Sequence, residues 1–242
     1  MELYAKYRKI TAEKVETKDK VYTIESNIGS EEEIKKILSE NNNDLSNVIL
    51  KINEIEFGLK GLFEGTDIVA TPKEIHCDST GNFTNVFKNC KSLTKVSEHL
   101  LDNCPNISGI SGMFNGCSSL TEIPKNLLAK SENINDVSFM FASTKIKEVP
   151  EGLFDNCPNL SFVVGAFSSC PELVKVPENL FDKNKSITRI EYTFKADENI
   201  TSKLPDLWNK EKFVNISKSH VSGYAAGCEK AINYGEIPEE YK

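Results

Sequence analysis

A chain of 242 residues, 39% hydrophobic and 27% charged, has the make-up of a folded soluble protein with one sizeable core or two small ones. A net charge of -7 without any block of Lys or Arg lacks the electrostatic footprint of a nucleic-acid binder. The longest apolar runs are a few residues, far short of the ~18–20 that span a bilayer, so no membrane insertion is expected.

The first 56 residues do not repeat. Residues 3–10 and 21–26 read as strands. Ser30 with Glu33 forms a capping box. Ile34, Ile37 and Leu38 then give one apolar helix face, closed by Asn41, Asn42 and Asn43. Val48, Leu50 and Ile52 alternate as a further strand running into Glu56 and Phe57. This predicts a small α+β unit over residues 1–56, which either caps the array that follows or docks to a partner. The start, Met1-Glu2-Leu3-Tyr4-Ala5-Lys6, has neither the basic opening nor the apolar core of a signal peptide. The chain is therefore expected to stay inside the cell that makes it or to leave by a route other than standard secretion.

Residues 57–208 are periodic. Phe87, Phe114, Phe141, Phe167 and Phe194 recur at steps of 27, 27, 26 and 27. A degraded earlier unit starts at Leu62 and Phe63. Each unit contains a second half of similar form: residues 101–107 (Leu-Asp-Asn-Cys-Pro-Asn-Ile) match residues 154–160 (Phe-Asp-Asn-Cys-Pro-Asn-Leu). One register runs Cys90, Cys104, Cys117, Ser131, Thr144, Cys157, Cys170, Asn184, Asp197, with one residue missing after Thr144. Stretches such as Leu120 to Ile123 suit a very short strand, and Phe114 to Cys117 one turn. Pro124, Pro150 and Pro177 follow the strand and stop it. A coil of this kind cannot bury its apolar side alone, but stacked neighbours bury a continuous column. The predicted fold is an α/β solenoid of leucine-rich-repeat-like coils of about 27 residues, each with two short strands and two short turns or helices. Residues 209–242 are expected to close it. The thiols are read as an interior packing ladder, reduced and buried. Cys77 and Cys228 fall outside the register.

The string Met-Phe-x-x-Cys-x-x-Leu-x-x-Ile-Pro at residues 113–124, with Asn-Ile-x-x-Ile/Val at 106–110 and 133–137, resembles the BspA-like leucine-rich repeats of bacterial and phage proteins. The resemblance covers about 150 residues in register. Residues 204–208, then 227–234 and Ile237-Pro238, look like the closing segment of such arrays in phage-encoded structural proteins. That likeness implies a phage or tailocin tail component, in a virion or phage-tail-like particle. A bacterial cell-surface adhesin is the alternative, though such proteins usually carry an export signal. The partners implied are other subunits of a particle or a host- or cell-surface ligand, within a larger complex.

Little in the chain suggests chemistry. His76, His99 and His220 form no metal motif with spaced Cys or His. His76 and Cys77 are adjacent, a poor geometry for a shared metal or a nucleophile–base pair. No phosphate-binding glycine loop or Gly-x-Ser-x-Gly occurs. The expectation is a non-enzymatic protein without cofactor or metal. Beside the first strand lie Thr94-Lys95, Thr121-Glu122, Lys147-Glu148 and Val174-Lys175, whose mixture of both signs of charge reads as a solvated face. Beside the second strand run two columns, Gly109, Asp136, Phe162, Arg189 and Gly112, Phe139, Gly165, Tyr192. Asp136, Phe139, Phe162, Arg189 and Tyr192 are candidate partner-binding residues, because exposed aromatics and Arg anchor interfaces. In the competing reading, Phe139 and Phe162 fold back into the core.

Overall fold

The computed structural model describes residues 12–14, 19–24, 31–53, 59–78 and 81–242. The strand predicted at 3–10 and Ser30 of the capping box lie outside these residues. Strand β1 (Ala12–Lys14), which the sequence reading lacks, pairs antiparallel with β2 (Lys20–Ile24). Helix α1 (Glu31–Glu40) follows with Ile34, Ile37 and Leu38 buried, as its periodicity requires. It ends on the asparagine run. The Asn43 amide donates to the Leu38 carbonyl at 2.8 Å, and Asn42 and Asn43 take left-handed φ of 51° and 61°. Asn tolerates that conformation better than most residues.

Strand β3 (Val48–Ile52) is parallel to β2, and β4 (Glu74–Cys77) is parallel to β3. The pairing continues from His76 to Asn103 in the next coil. The N-terminal strands thus already stack in the direction of the array, and one buried cluster runs from Tyr22 to Tyr241.

The axis of the array is a file of rings. Phe63, Phe87, Phe114, Phe141, Phe167 and Phe194 stack at centroid distances of 5.3, 5.6, 5.6, 5.8 and 5.6 Å, with interplanar angles of 4–13°. All are fully buried. Each of these Phe amides donates to a carbonyl of the following coil, for example Phe87 to Met113 at 2.9 Å and Phe167 to Thr193 at 3.0 Å. Ring spacing and backbone pairing therefore enforce one register. On the exposed rim, the amides of Asn106, Asn133, Asn159 and Asn215 each donate to a carbonyl of the preceding coil at 2.8–3.1 Å.

The coil has two sides joined mostly by isolated bridges, so its strands are shorter than expected, and the connections between them are short turns, one of the two forms expected. One side is joined by single parallel bridges, Ala70 to Lys95 and Glu148 to Lys175. The other is joined from Gly109 through Asp136 and Phe162 to Arg189. Among the described residues of the array, only β4, β5 (Gly81–Asn82) and β6 (Ile107–Gly109) are longer. The turns close by i to i+3 bonds, such as Cys117 N to Phe114 O at 3.1 Å. Prolines remove the amide that would lengthen the first side. Left-handed residues three places beyond the second side, such as Gly112 at φ 63°, turn the chain away there.

The thiol register divides into two columns. One holds Cys90, Cys117, Thr144, Cys170 and Asp197, the other Cys104, Ser131, Cys157 and Asn184; all are buried. Neither is only an apolar filler. Cys90, Cys117 and Cys170 donate their thiols to the carbonyls of Phe63, Phe87 and Phe141 in the preceding coil at 2.9–3.1 Å. Cys104 does the same to Ile75 at 3.0 Å. Asn184 Nδ2 reaches the carbonyls of Phe154 and Cys157 at 3.0 and 2.8 Å. The position selects a small side chain that can donate, because a buried carbonyl left without a partner is costly. Burial pushes these thiols up, to about 12 for Cys157 and Cys170, which keeps them protonated. No cysteine is joined in a disulfide.

Both cysteines outside the register have a place. Cys77 ends β4, buried, with its amide on the Asn103 carbonyl at 3.0 Å. Cys228 continues the first column 31 residues after Asp197, donating to the Phe194 carbonyl at 3.0 Å. The last coil is longer, which hides it from a 27-residue template. It also ends the ring file. Tyr224 meets Phe194 edge-on at 5.5 Å and 82°, and Tyr241 packs edge-on against Tyr224. Short 3₁₀ segments at Tyr234–Glu236 and Glu239–Tyr241 lie over this end, and the Ala225 amide bonds the Tyr241 carbonyl.

Candidate functional site

The second side of the coils brings the five candidate residues onto one surface. Asp136, Phe162 and Arg189 are consecutive rungs of a parallel ladder. Phe139 and Tyr192 stand three residues beyond the first and last rungs. Phe139, Phe162 and Tyr192 remain 39%, 37% and 40% exposed, so the reading in which the Phe side chains fold into the core does not hold. Alternation explains this. Val137, Val163 and Ile190 next to the rungs point inward and fill the core, which leaves the rungs outward.

The column of Phe139 has a second property. Gly61, Asn85, Gly112, Phe139, Gly165, Tyr192 and Gly223 all adopt left-handed φ between 55° and 67°. Glycine adopts it freely, whereas a bulky ring there is an outlier costing ~1–2 kcal/mol. The two rings lean over the glycine of the next coil. A Cβ on Gly165 would lie 2.4 Å from Phe139 Cε1, and one on Gly223 would lie 2.7 Å from Tyr192 Cδ1. Ring and glycine therefore alternate along the column, and each ring covers two coils. The Lys195 ammonium sits 4.9 Å from the Tyr192 ring centre.

Charge at the site is anchored from below. Glu191 is only 7% exposed. Its Oε1 accepts from Arg189 Nη2 at 2.9 Å and lies 3.0 Å from His220 Nδ1. Burial alone would raise the Glu191 carboxyl; hydrogen bonds from Arg189, its own backbone amide and His220 overcome it and hold the carboxyl below its usual range. Arg189 is held firmly charged, first by its hydrogen bond to Glu191, then by that carboxylate's charge, with a smaller contribution from Asp136. Glu191 Oε2 is buried without a hydrogen-bond partner. Asp136 is fixed by accepting the Ser138 amide at 2.8 Å. The fork of Arg189 is thus pre-positioned beside the aromatic rungs.

No protein-family model matches the chain, and no curated protein does. Among solved structures it is similar to a leucine-rich repeat protein from Bacteroides ovatus, at 18% identity and a TM-score of 0.40. The alignment covers 82% of this chain and 46% of that one, so this chain spans about half the length of the protein it matches.

Other openings lie elsewhere. A cleft of about 790 Å³ lies between α1 and the 61–67 turn, and one of about 400 Å³ between Lys95 and Glu122 on the first side. None of the five candidate residues lines either. Among the described residues, no group of three or more His, Cys, Asp or Glu is placed to hold a metal ion, and no helix is long and apolar enough to cross a membrane. Sequence reasoning missed Glu191 and His220. Glu191 follows the inward Ile190 at a position that is part-exposed in other coils (Ser111, Ser138, Val164), and His220 comes from the longer final coil, beyond any fixed period. The left-handed column was legible in principle, since Gly112, Gly165 and Gly223 mark it.

Proposed function

We propose that this chain is a non-enzymatic recognition module that docks through the second side of its coils. The observation that carries this reading is the set of three exposed rings beside Arg189, two of them held in a backbone conformation that favours glycine. A fold that needed only stability would place glycine there. Strain kept at particular positions points to use rather than packing. Exposed aromatics and a braced Arg are the residue types that dominate binding energy once water is excluded.

The setting proposed is a phage or tailocin tail, with the module as a structural or receptor-binding component in contact with another subunit or a host surface. The likeness of residues 204–208 and 227–238 to closing segments of phage arrays supports it. A bacterial cell-surface module of the BspA-like kind is the second reading, favoured by the in-register motif at 113–124. Mass spectrometry of purified phage-like particles, set against surface-shaved peptides from intact cells, separates the two. Enrichment in particles is expected; recovery only by shaving replaces the particle reading with the surface one. Recovery in neither removes both settings.

A further inference from the structure

Phe139 and Tyr192 are two coils apart. Neighbouring coils paired by parallel bridges lie about 4.8 Å apart, so the two ring-on-glycine plates repeat at about 10 Å along the solenoid axis. Phe162 lies beside them in the intervening coil. A polysaccharide extended as a two-fold ribbon turns the same sugar face to one side at every second residue, a repeat of the same length scale. Its C–H-rich ring faces match aromatic plates, and its rim hydroxyls need planar hydrogen-bonding groups beside those plates. Asp136 and the braced Arg189 supply an acceptor and a donor fork at that place. The four charged side chains at the site, Asp136, Arg189, Glu191 and Lys195, sum to zero. A charged polymer therefore gains no net attraction, whereas a neutral one has no unpaired charge to bury. Lys195 is exposed and flexible, and its ammonium can leave the Tyr192 ring for a hydroxyl.

We infer that this surface binds an extended, uncharged polysaccharide laid along the solenoid axis. This rests on the recognition reading above and names its ligand class.

Calorimetric titration of the full chain with cellohexaose, chitohexaose and β-1,4-mannohexaose tests it, with laminarihexaose as a curled control and a heparin hexasaccharide as a charged one. At least one β-1,4 hexasaccharide is expected to bind, and its disaccharide about tenfold more weakly, because it spans one plate. Phe139→Gly and Tyr192→Gly are each expected to weaken binding by about tenfold. Both place in the column the residue found at Gly112, Gly165 and Gly223, so both should fold, as circular dichroism would show. The inference is overturned if no β-1,4 hexasaccharide binds, if only the heparin fragment does, or if the double variant binds as well as the parent. If the sugars fail while both glycine variants lose cross-linking to a neighbouring protein subunit, the recognition reading stands and the polysaccharide falls. If both assays are blank, both fall.

Discussion

The two long sides of the solenoid are built by the same device and have become different surfaces. On each, single parallel bridges join neighbouring coils, and the rungs from Lys95 and Asp136 onward face outward. On the first side the rungs include Lys95, Glu148 and Lys175, and Glu148 pairs directly with Lys175. Opposite charges on adjacent rungs make a solvated face with no anchor. On the second side the rungs are Asp136, Phe162 and Arg189, flanked by Phe139 and Tyr192. The backbone ladder is neutral as to function. What distinguishes the sides is which outward positions carry rings, and whether a buried group such as Glu191 braces them from beneath.

The strongest way to break that comparison is through the core both sides share. Phe141→Ala removes one ring from the file between Phe114 and Phe167 and is expected to destabilise the protein by ~3–5 kcal/mol. Because each coil packs on its neighbours, hydrogen exchange should rise on both sides together. Loss of protection on one side alone would mean that the sides are independent units.

The next effect is one of pH. Asp197 fills a thiol position, with Oδ1 accepting the Cys170 amide at 2.6 Å and Oδ2 buried without a partner. Burial raises its carboxyl from 3.8 to about 9. The folded state keeps a proton that the unfolded chain releases. Its contribution is therefore fully present below about pH 4 and is lost as pH rises towards 9, by up to ~1.4 kcal/mol per unit. Asp197→Asn should flatten the fall in stability between pH 5 and 8, measured by urea unfolding. An unchanged slope would show that Asp197 ionises freely. Asp197 lies five residues after Tyr192, so alkaline loosening should reach the second side at Tyr192 and Gly223 before it reaches Lys95.

A smaller effect separates stability from binding. Phe139→Gly relieves left-handed strain while giving up the ring's cover of Gly165, so its stability should stay within ~1 kcal/mol of the parent. Loss of ligand or subunit binding without loss of melting temperature would sharpen the contrast between the sides. A large drop in melting temperature would instead assign the ring to the fold. The smallest change is expected on the first side. Glu148→Lys puts two like charges on adjacent exposed rungs and should shift stability by no more than ~0.5 kcal/mol, with binding unaltered. The thiols add an independent check: Cys104 and Cys157 should react with a thiol reagent only as fast as the protein unfolds, because burial keeps them protonated.

Much of this was legible in the residues themselves. The recurrence of Phe87, Phe114, Phe141, Phe167 and Phe194 defines the stacked file, and the small residues between them define buried positions. Such patterns follow from local order, since each coil repeats the same burial problem and solves it with the same residue types. The period of two also predicts the outward direction of Asp136, Phe162 and Arg189. Tertiary structure decided the rest, because it depends on what the neighbouring coil offers. It gave the thiols of Cys90, Cys104, Cys117 and Cys170 a carbonyl one coil back and gave Cys228 a place after a coil of unusual length. It set Phe139 and Tyr192 over glycines of the following coils, and it brought Glu191 and His220 under Arg189. Apart from Arg189 with Glu191, those pairings join residues 26 to 34 positions apart, and no local rule fixes them until the coils are stacked.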